Sequence, residues 1–332
     1  MNKFHKILDS KPVLFADGAT GTNLFSKGME AGYSPELWNL EKPNIIKELH
    51  EDFIKSGSDI ILTNSFGANS SRLKLHNLEN DVDKLNFEAA NLAKKAIVNN
   101  KDNLIVAGSI GPTGELFEPL GNLNKEEAIS IFSKQSEFLF KGGVDIFWIE
   151  TMSSLEEVEA AVLAVKKFKL PIICTMSFDT ARKTMMGVDP IEFKKFAYDF
   201  KLDGYGANCG VGPAELLDTV CDFNIEKSDK IPVVAKANCG IPVLLDGKTH
   251  YRAFPKTMAN YSKLAKNFNV KIIGGCCGTT PDHVKEMVES TDLYNKINNR
   301  HNKNSICTLL GTPWENLNKI KNERKKRVRK RK

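Results

Sequence analysis

Three of the seven cysteines stand in short glycine-framed motifs that could hold a metal ion. Cys209 lies in GANCGVGP, and Cys276 and Cys277 lie in GGCCGTTP. Adjacent side chains of a strand point to opposite faces, but flanking glycines let the backbone bend tightly. Three thiolates that meet near one point suit a tetrahedral Zn²⁺ with one coordination position open.

The alternative for any free cysteine is a buried side chain that packs like a small hydrophobe. We adopt that interpretation for Cys174, Cys221 and Cys307, and for Cys239 both interpretations stay open. A metal site would have a defined use, because coordination deprotonates a thiol whose pKa is otherwise about 8.5. A substrate thiol in the open position would become a nucleophile, and alkyl transfer to sulfur would follow.

Eight short apolar runs recur along the chain with helical spacing between them. They are Val13–Ala16, Asp59–Thr63, Leu104–Ala107, Asp145–Ile149, Pro171–Thr175, Gly204–Ala207, Pro232–Ala235 and Lys271–Ile273. Continuous apolar runs are typical of parallel strands buried on both faces. The count of eight predicts a (β/α)8 TIM barrel over an open doubly wound sheet, and no G-x-G-x-x-G follows the first run.

Each apolar run ends in small or polar residues, such as Asp17-Gly18, Glu150-Thr151, Asn208-Cys209 and the segment from Gly274 to Gly278. In a barrel these endings meet on the C-terminal face, where active sites are built. We expect the segment Val243–Thr257 to be a long loop that covers this face.

Composition predicts a barrel domain over residues 1–290 and an irregular C-terminal extension over residues 291–332. The net charge is +6, but the last twelve residues carry nine Lys/Arg and one Glu, so the remaining 320 residues sum to −2. We interpret this tail as disordered and solvated, with nucleic-acid binding as the less favoured alternative. Without a membrane-length apolar run or a signal peptide, we expect a cytoplasmic protein that acts on small molecules and has no membrane partner. The sequence leaves the oligomeric state open, including a homo-oligomer.

Five motifs resemble those of the zinc-dependent homocysteine S-methyltransferases, in order from Leu14 to Val284. They are DGATGTNL, ILTNSFGAN, GSIGPTGE, GANCGVGP and GGCCGTTPDHV. Within that family, SPELWN (34–39), SFDTARKTMMG and the absence of sequence for further domains make the chain most similar to stand-alone bacterial betaine–homocysteine methyltransferases.

The resemblance implies a role for several residues of this chain. Cys209, Cys276 and Cys277 would be the zinc ligands, and these three with Glu150 would form the catalytic set. Asp17 and Gly18 would help to bind homocysteine, Glu150 would pair with its ammonium group, and Thr63 and Asn208 would assist. An unpaired carboxylate at a barrel mouth is costly to desolvate, which agrees with a cationic partner for Glu150.

The resemblance implies glycine betaine as the methyl donor, with methionine and dimethylglycine as products. A quaternary ammonium favours aromatic faces, and Tyr33 and Phe66 are the candidates for that role, with Trp38 and Phe178 as further aromatic residues.

Three residues depart from the pattern of the animal enzymes. Gly67 and Thr151 stand where those enzymes have tyrosines, and Cys239 replaces the usual alanine.

Three alternatives to a betaine-dependent enzyme stay open. The first is a sulfonium donor (S-methylmethionine or dimethylsulfoniopropionate), and the second is a methylcorrinoid protein acting in trans. The third is a binding module with structural zinc and a nucleic-acid-binding tail.

Overall fold

Eight parallel strands form the centre of the molecule. The computed structural model describes residues 2–98, 102–226, 228–245, 248–293 and 303–315. The barrel strands are β1 (Leu14–Phe15), β2 (Ile60–Leu62), β3 (Ile105–Ile110), β4 (Ile146–Met152), β5 (Ile172–Met176), β6 (Gly204–Cys209), β7 (Val233–Ala237) and β10 (Ile272–Gly275). Two short strands, β8 (Val243–Leu245) and β9 (Lys248–His250), form a separate antiparallel hairpin.

The strand order closes the sheet into a barrel. Neighbouring strands follow the order β1, β10, β7, β6, β5, β4, β3, β2. The two ends of this series meet through a parallel bridge between Ala16 and Ile60, and the Asp17 N–H donates to the Ile60 carbonyl at 3.0 Å. The predicted (β/α)8 barrel is confirmed, and an open doubly wound sheet is excluded.

The continuous apolar runs are buried on both faces of the sheet. Alternate side chains point inward and pack together, including Leu14, Ile60, Ile105, Trp148 and Val234, as the two-residue period of a strand requires. Their neighbours point outward against the helices. Three apolar side chains of the first helix join the inner cluster, so this helix closes one end of the barrel.

The helices surround the barrel, and several begin at side chains that accept a backbone N–H, such as Asn124, Ser154 and Asp189. In chain order they are α1 (Lys3–Ser10), α2 (Gly21–Ser26), α3 (Trp38–Glu41), α4 (Pro43–Lys55), α5 (Ser70–Lys74), α6 (Val82–Ala96), α7 (Lys125–Lys141), α8 (Leu155–Lys166), α9 (Pro190–Asp199), α10 (Pro213–Cys221), α11 (Pro255–Asn267), α12 (Pro281–Asp292) and α13 (Lys303–Leu310), with a 3-10 turn at Pro35–Leu37. None of these described helices is long and apolar enough to cross a membrane.

Two expectations are corrected. The segment predicted as a loop from Val243 to Thr257 contains the β8–β9 hairpin, and α11 begins within it at Pro255. The predicted irregular extension includes α13, because Ile306 has a core to pack against and is fully buried. The basic run of residues 321–332 lies outside the described residues, so its disorder stays a prediction.

Candidate functional site

Three cysteine thiols meet at the C-terminal end of the barrel. Cys209 ends β6, and Cys276 and Cys277 follow β10. Strand β7 lies between those two strands, and its Ala237 aligns with Cys209 on one side and with Gly275 on the other. The three strand ends are therefore level, and the three sulfur atoms lie within 4.8 Å of one another.

The local backbone explains how adjacent cysteines reach one point. Strand β10 ends at Gly275, so Cys276 and Cys277 lie in a turn and not in a strand. A Cβ on Gly275 would lie 2.2 Å from Thr279, and Gly278 has a φ of +82°, so the turn needs glycine at both positions. The Asn238 side chain fixes the turn by accepting from the Cys277 N–H at 2.9 Å.

The donor set fits a zinc ion. The pKa of the Cys276 thiol is raised well above its usual range by its hydrogen bond with Cys209 and by burial. A soft divalent cation would reverse that preference, because it binds the thiolate form. Three sulfur ligands with a fourth position free match the arrangement of a zinc site that also takes a substrate.

A cavity of about 500 Å³ opens from these thiols. Its wall includes the three cysteines, Gly18, Glu150 and Lys236. Of the predicted homocysteine-binding residues, Thr63 also lines this cavity. The barrel thus brings most of the predicted site residues to one space.

Glu150 lies on β4 and is 8% exposed. The Ser109 hydroxyl donates to its Oε1 at 2.5 Å, and Ser109 is itself held by the Thr63 hydroxyl, which accepts from the Ser109 N–H at 3.0 Å. Thr63 therefore contacts Ser109, which in turn contacts Glu150. Ser109 was missed by the sequence analysis, since one serine in GSIGPTGE carries no distinguishing signal.

Asn208 lies beside the thiols but does not line the cavity. Its Oδ1 accepts from the Thr151 N–H at 2.9 Å, and its Nδ2 donates to the Thr151 hydroxyl at 2.6 Å. The same Nδ2 lies 4.0 Å from the Cys276 sulfur. Asn208 therefore joins the end of β6 to the end of β4.

Asp17 lies behind the cavity wall, because it is buried and the Lys236 ammonium stands in front of it at 3.3 Å from its Oδ1. Burial raises the pKa of Asp17 to about 6, against the opposing effect of Lys236. The neighbouring Gly18 faces the cavity, and a Cβ there would lie 2.6 Å from the Thr279 carbonyl oxygen. Lys236 is a site residue that the sequence analysis missed, although a lysine within the apolar run VVAKA is an unusual signal.

Phe66 is the predicted donor-binding aromatic that lines the cavity. Tyr33 is 36% exposed, and its hydroxyl donates to Glu41 at 2.5 Å. The structure therefore brings Phe66, but not Tyr33, to the site. Phe25 and Tyr251 line the cavity as well, and neither was among the predicted site residues.

The two further aromatic residues pack elsewhere. Trp38 is buried, and the Lys42 ammonium lies 4.0 Å from its ring centroid. Phe178 is also buried and contacts the Phe193 and Phe223 rings, with centroids 6.4 and 5.8 Å away. Both belong to the packing around the barrel.

Glu36 occupies the space beside Gly67. Its Oε1 accepts from the Gly67 N–H at 2.7 Å, and its Oε2 accepts from the Ser34 hydroxyl at 2.7 Å. A Cβ on Gly67 would lie 2.8 Å from that Oε1. The carboxylate, which lines the cavity, thus fills space that a side chain at position 67 would need.

Cys239 is fully buried, and its sulfur lies 3.4 Å from the Thr279 hydroxyl. Its backbone N–H donates to the Cys277 carbonyl. The described cluster of metal-binding type contains Cys209, Cys276 and Cys277 alone, so Cys239 supports the turn without joining the cluster.

Comparisons with known proteins agree with this geometry. A family model described as homocysteine S-methyltransferase matches residues 14–291. Methionine synthases of Mycobacterium leprae and Mycobacterium tuberculosis are both 26% identical, over 301 and 296 residues. Those alignments cover 85% and 84% of this chain but 24% of each relative, so the chain spans about a quarter of their length.

Two crystal structures of the Escherichia coli homocysteine methyltransferase MmuM share the fold. The metallated form has a TM-score of 0.72 at 22% identity, covering 86% of this chain and 99% of that one. The oxidized form has a TM-score of 0.73 at 21% identity, covering 87% and 99%.

Proposed function

The chain belongs to the homocysteine S-methyltransferase family, and we propose that it transfers a methyl group to the sulfur of L-homocysteine to give methionine. The observation that carries this proposal is the meeting of three thiols with a buried carboxylate in one cavity. A thiol substrate that is also an amino acid needs both features. Thiol ligands work only when reduced, so we place the enzyme in the cytoplasm.

We assign Cys209, Cys276 and Cys277 as zinc ligands. A zinc ion held by them would leave one position for the substrate thiol and would supply its deprotonation at neutral pH. The chain itself holds the three thiols level by strand register and by the Asn238 hydrogen bond to the turn.

Glu150 is the group that we assign to the substrate ammonium. Ser109 engages one of its oxygen atoms, which leaves the other to face a cation. Thr63 and Asn208 keep their proposed parts as supports, Thr63 through Ser109 and Asn208 through Thr151. The backbone of Gly18 forms the adjoining wall.

Glycine betaine is the donor that we propose. The homocysteine sulfur forms a bond to a methyl carbon while the C–N bond breaks, and the nitrogen keeps the electron pair. Dimethylglycine then leaves as a neutral amine, so no general acid is needed. Phe66 lines the cavity and would stabilise the cationic donor through its ring, and the rate would come from orienting the two substrates.

A sulfonium donor is the second candidate, because Glu36 and Phe66 in the cavity wall would attract a sulfonium as they would a quaternary ammonium. The same in-line displacement would then release a neutral thioether. A methylcorrinoid protein would instead need to dock at the barrel mouth.

The test is methionine formation by the zinc-replete protein, measured by mass spectrometry with glycine betaine, S-methylmethionine or dimethylsulfoniopropionate as donor. We expect turnover with betaine that chelation abolishes and added zinc restores. Turnover with a sulfonium compound but not with betaine would show that the methyl donor is the sulfonium. A protein that holds zinc through four of its own ligands and does not bind homocysteine would be a structural-zinc module instead.

A further inference from the structure

Lys236 is a buried cation that faces the cavity. It lies on β7 with 3% of its side chain exposed, yet it forms part of the cavity wall. Of the cavity-lining residues that the structure describes, it is the one lysine or arginine. A buried ammonium is costly unless it is paired, so its partners decide its role.

The chain provides Lys236 with one hydrogen-bond partner among the described residues, the Asp17 carboxylate at 3.3 Å. The Lys236 ammonium also lies over the Trp148 ring, 5.2 Å from its centroid. An ammonium group has three N–H donors, so the contact with Asp17 leaves donors that can face a ligand.

Each oxygen of the Asp17 carboxylate has a partner within the chain. Its Oδ1 accepts from Lys236, and its Oδ2 accepts from the Leu62 N–H at 2.8 Å. With both oxygens occupied and the side chain behind the cavity wall, Asp17 is placed to orient Lys236.

Three charged residues line the cavity: Glu36, Glu150 and Lys236. Glu150 and Lys236 both interact electrostatically with Cys276, whereas both oxygens of Glu36 accept hydrogen bonds from Gly67 and Ser34. An α-amino acid carries the two complementary charges on one carbon. We propose that Lys236 binds the α-carboxylate of the amino-acid substrate while Glu150 binds its ammonium, and that Asp17 is a positioning residue for Lys236. This assignment rests on the proposed function, since it takes homocysteine as the substrate.

The charge state agrees with this role. Burial lowers the pKa of Lys236, but Asp17, Glu150 and Cys276 together raise it by more, so the ammonium stays protonated. The competing role for Lys236 is a counter-charge for the nearby Cys276 thiolate, which would favour any thiol ligand equally.

The experiment compares two ligands that differ only in the carboxylate: L-homocysteine and 3-aminopropane-1-thiol. Their dissociation constants are measured by calorimetry on zinc-loaded wild type and Lys236→Met. We expect the substitution to weaken homocysteine binding about 10- to 100-fold, the effect of one charged hydrogen bond, and not to weaken the binding of 3-aminopropane-1-thiol. Equal weakening of both ligands, or of neither, would overturn the assignment.

Two further variants keep the result interpretable. Lys42→Met is the matched control, because Lys42 also lies over a tryptophan ring but outside the cavity, and it should change neither constant. If Lys236→Met fails to fold, the double variant Asp17→Asn/Lys236→Met avoids an unpaired buried carboxylate and should show the same selective loss. Wild-type protein that binds neither ligand would overturn the proposed function itself, whereas methionine formation with equal weakening would overturn the Lys236 assignment alone.

Discussion

Single residues at the ends of β4 and β6 adopt backbone conformations that are rare outside glycine. Thr151 has a φ of +63° and Cys209 a φ of +62°. Such left-handed residues cost about 1–2 kcal/mol each, and they persist where the surroundings hold them in place. The Asn208 side chain provides that restraint at Thr151. Cys209, whose sulfur lies within 4.8 Å of the other two, is thus held in a backbone conformation that its residue type seldom adopts.

Variants of Phe66 and Tyr33 test whether the donor binds at the cavity-lining ring and not at the exposed one. Phe66→Leu keeps an apolar side chain but removes the ring, so KM for the onium donor should rise about 5- to 30-fold. Homocysteine affinity should stay unchanged. Tyr33→Ala is the control, and it should leave the donor KM unchanged because Tyr33 faces solvent. Steady-state kinetics with the active donor measures both, and an equal rise in both variants would contradict the placement.

Sequence motifs identified cavity-lining residues where the residue type is rare and the flanking sequence is distinctive, as for the three cysteines and Glu150; their roles stay predictions. The motifs did not predict Lys236 or Glu36. Whether these two side chains reach the cavity depends on how neighbouring side chains pack in the folded barrel. Asp17 shows the same limit: its position at a strand end was predictable, but its place behind Lys236 depends on side-chain packing across the barrel.

At the scale of elements, the strands were predictable because parallel strands buried on both faces are continuously apolar. Helix α1 was missed because it is a short first segment whose Phe4, Ile7 and Leu8 are buried only once the barrel exists to receive them. The β8–β9 hairpin was also missed, since strands of three residues give too little alternation to detect.

Helix α4 contains a buried histidine that should make stability depend on pH. Burial lowers the pKa of His50 from 6.5 to about 4, so the unfolded chain binds the proton more readily than the folded one. Stability is therefore lost as pH falls from about 6.5 towards 4, with about 2 kcal/mol lost from this group at pH 5.

The measurement is Tm at pH 7 and pH 5 for wild type and His50→Leu. Between pH 7 and pH 5, the Tm of His50→Leu should fall by about 3 °C less than the Tm of wild type. His76→Gln, at an exposed position, serves as the control and should follow wild type. An identical Tm loss in wild type and His50→Leu would contradict the assignment.

At the scale of the whole molecule, the C-terminal segment 303–315 packs against α10, the helix that follows Cys209. The Trp314 indole N–H donates to Asp218 of α10 at 2.8 Å. Lys303 pairs with Asp218 and Asp222 at 3.2 and 2.9 Å. Composition alone predicted an irregular extension here, because these partners lie far away in sequence and become visible only in the folded barrel.

Trp314→Ala should therefore destabilise the protein without altering the site. Trp314 is 8% exposed, and truncating a buried tryptophan costs about 3–5 kcal/mol, or about 4–7 °C in Tm for a chain of this size. Calorimetric unfolding measures this, while the homocysteine dissociation constant well below Tm should match wild type. An unchanged Tm would show that the segment does not pack on α10 in solution.

The central claim, that three level thiols form the metal site, is tested most directly by the zinc content of purified cysteine variants. We predict one zinc per chain in wild type and a loss of zinc in Cys276→Ser. The matched variant Cys239→Ser should retain it, because that buried thiol contacts Thr279 outside the cluster. Full zinc occupancy in a folded Cys276→Ser, or loss of zinc in Cys239→Ser alone, would contradict a site formed by Cys209, Cys276 and Cys277.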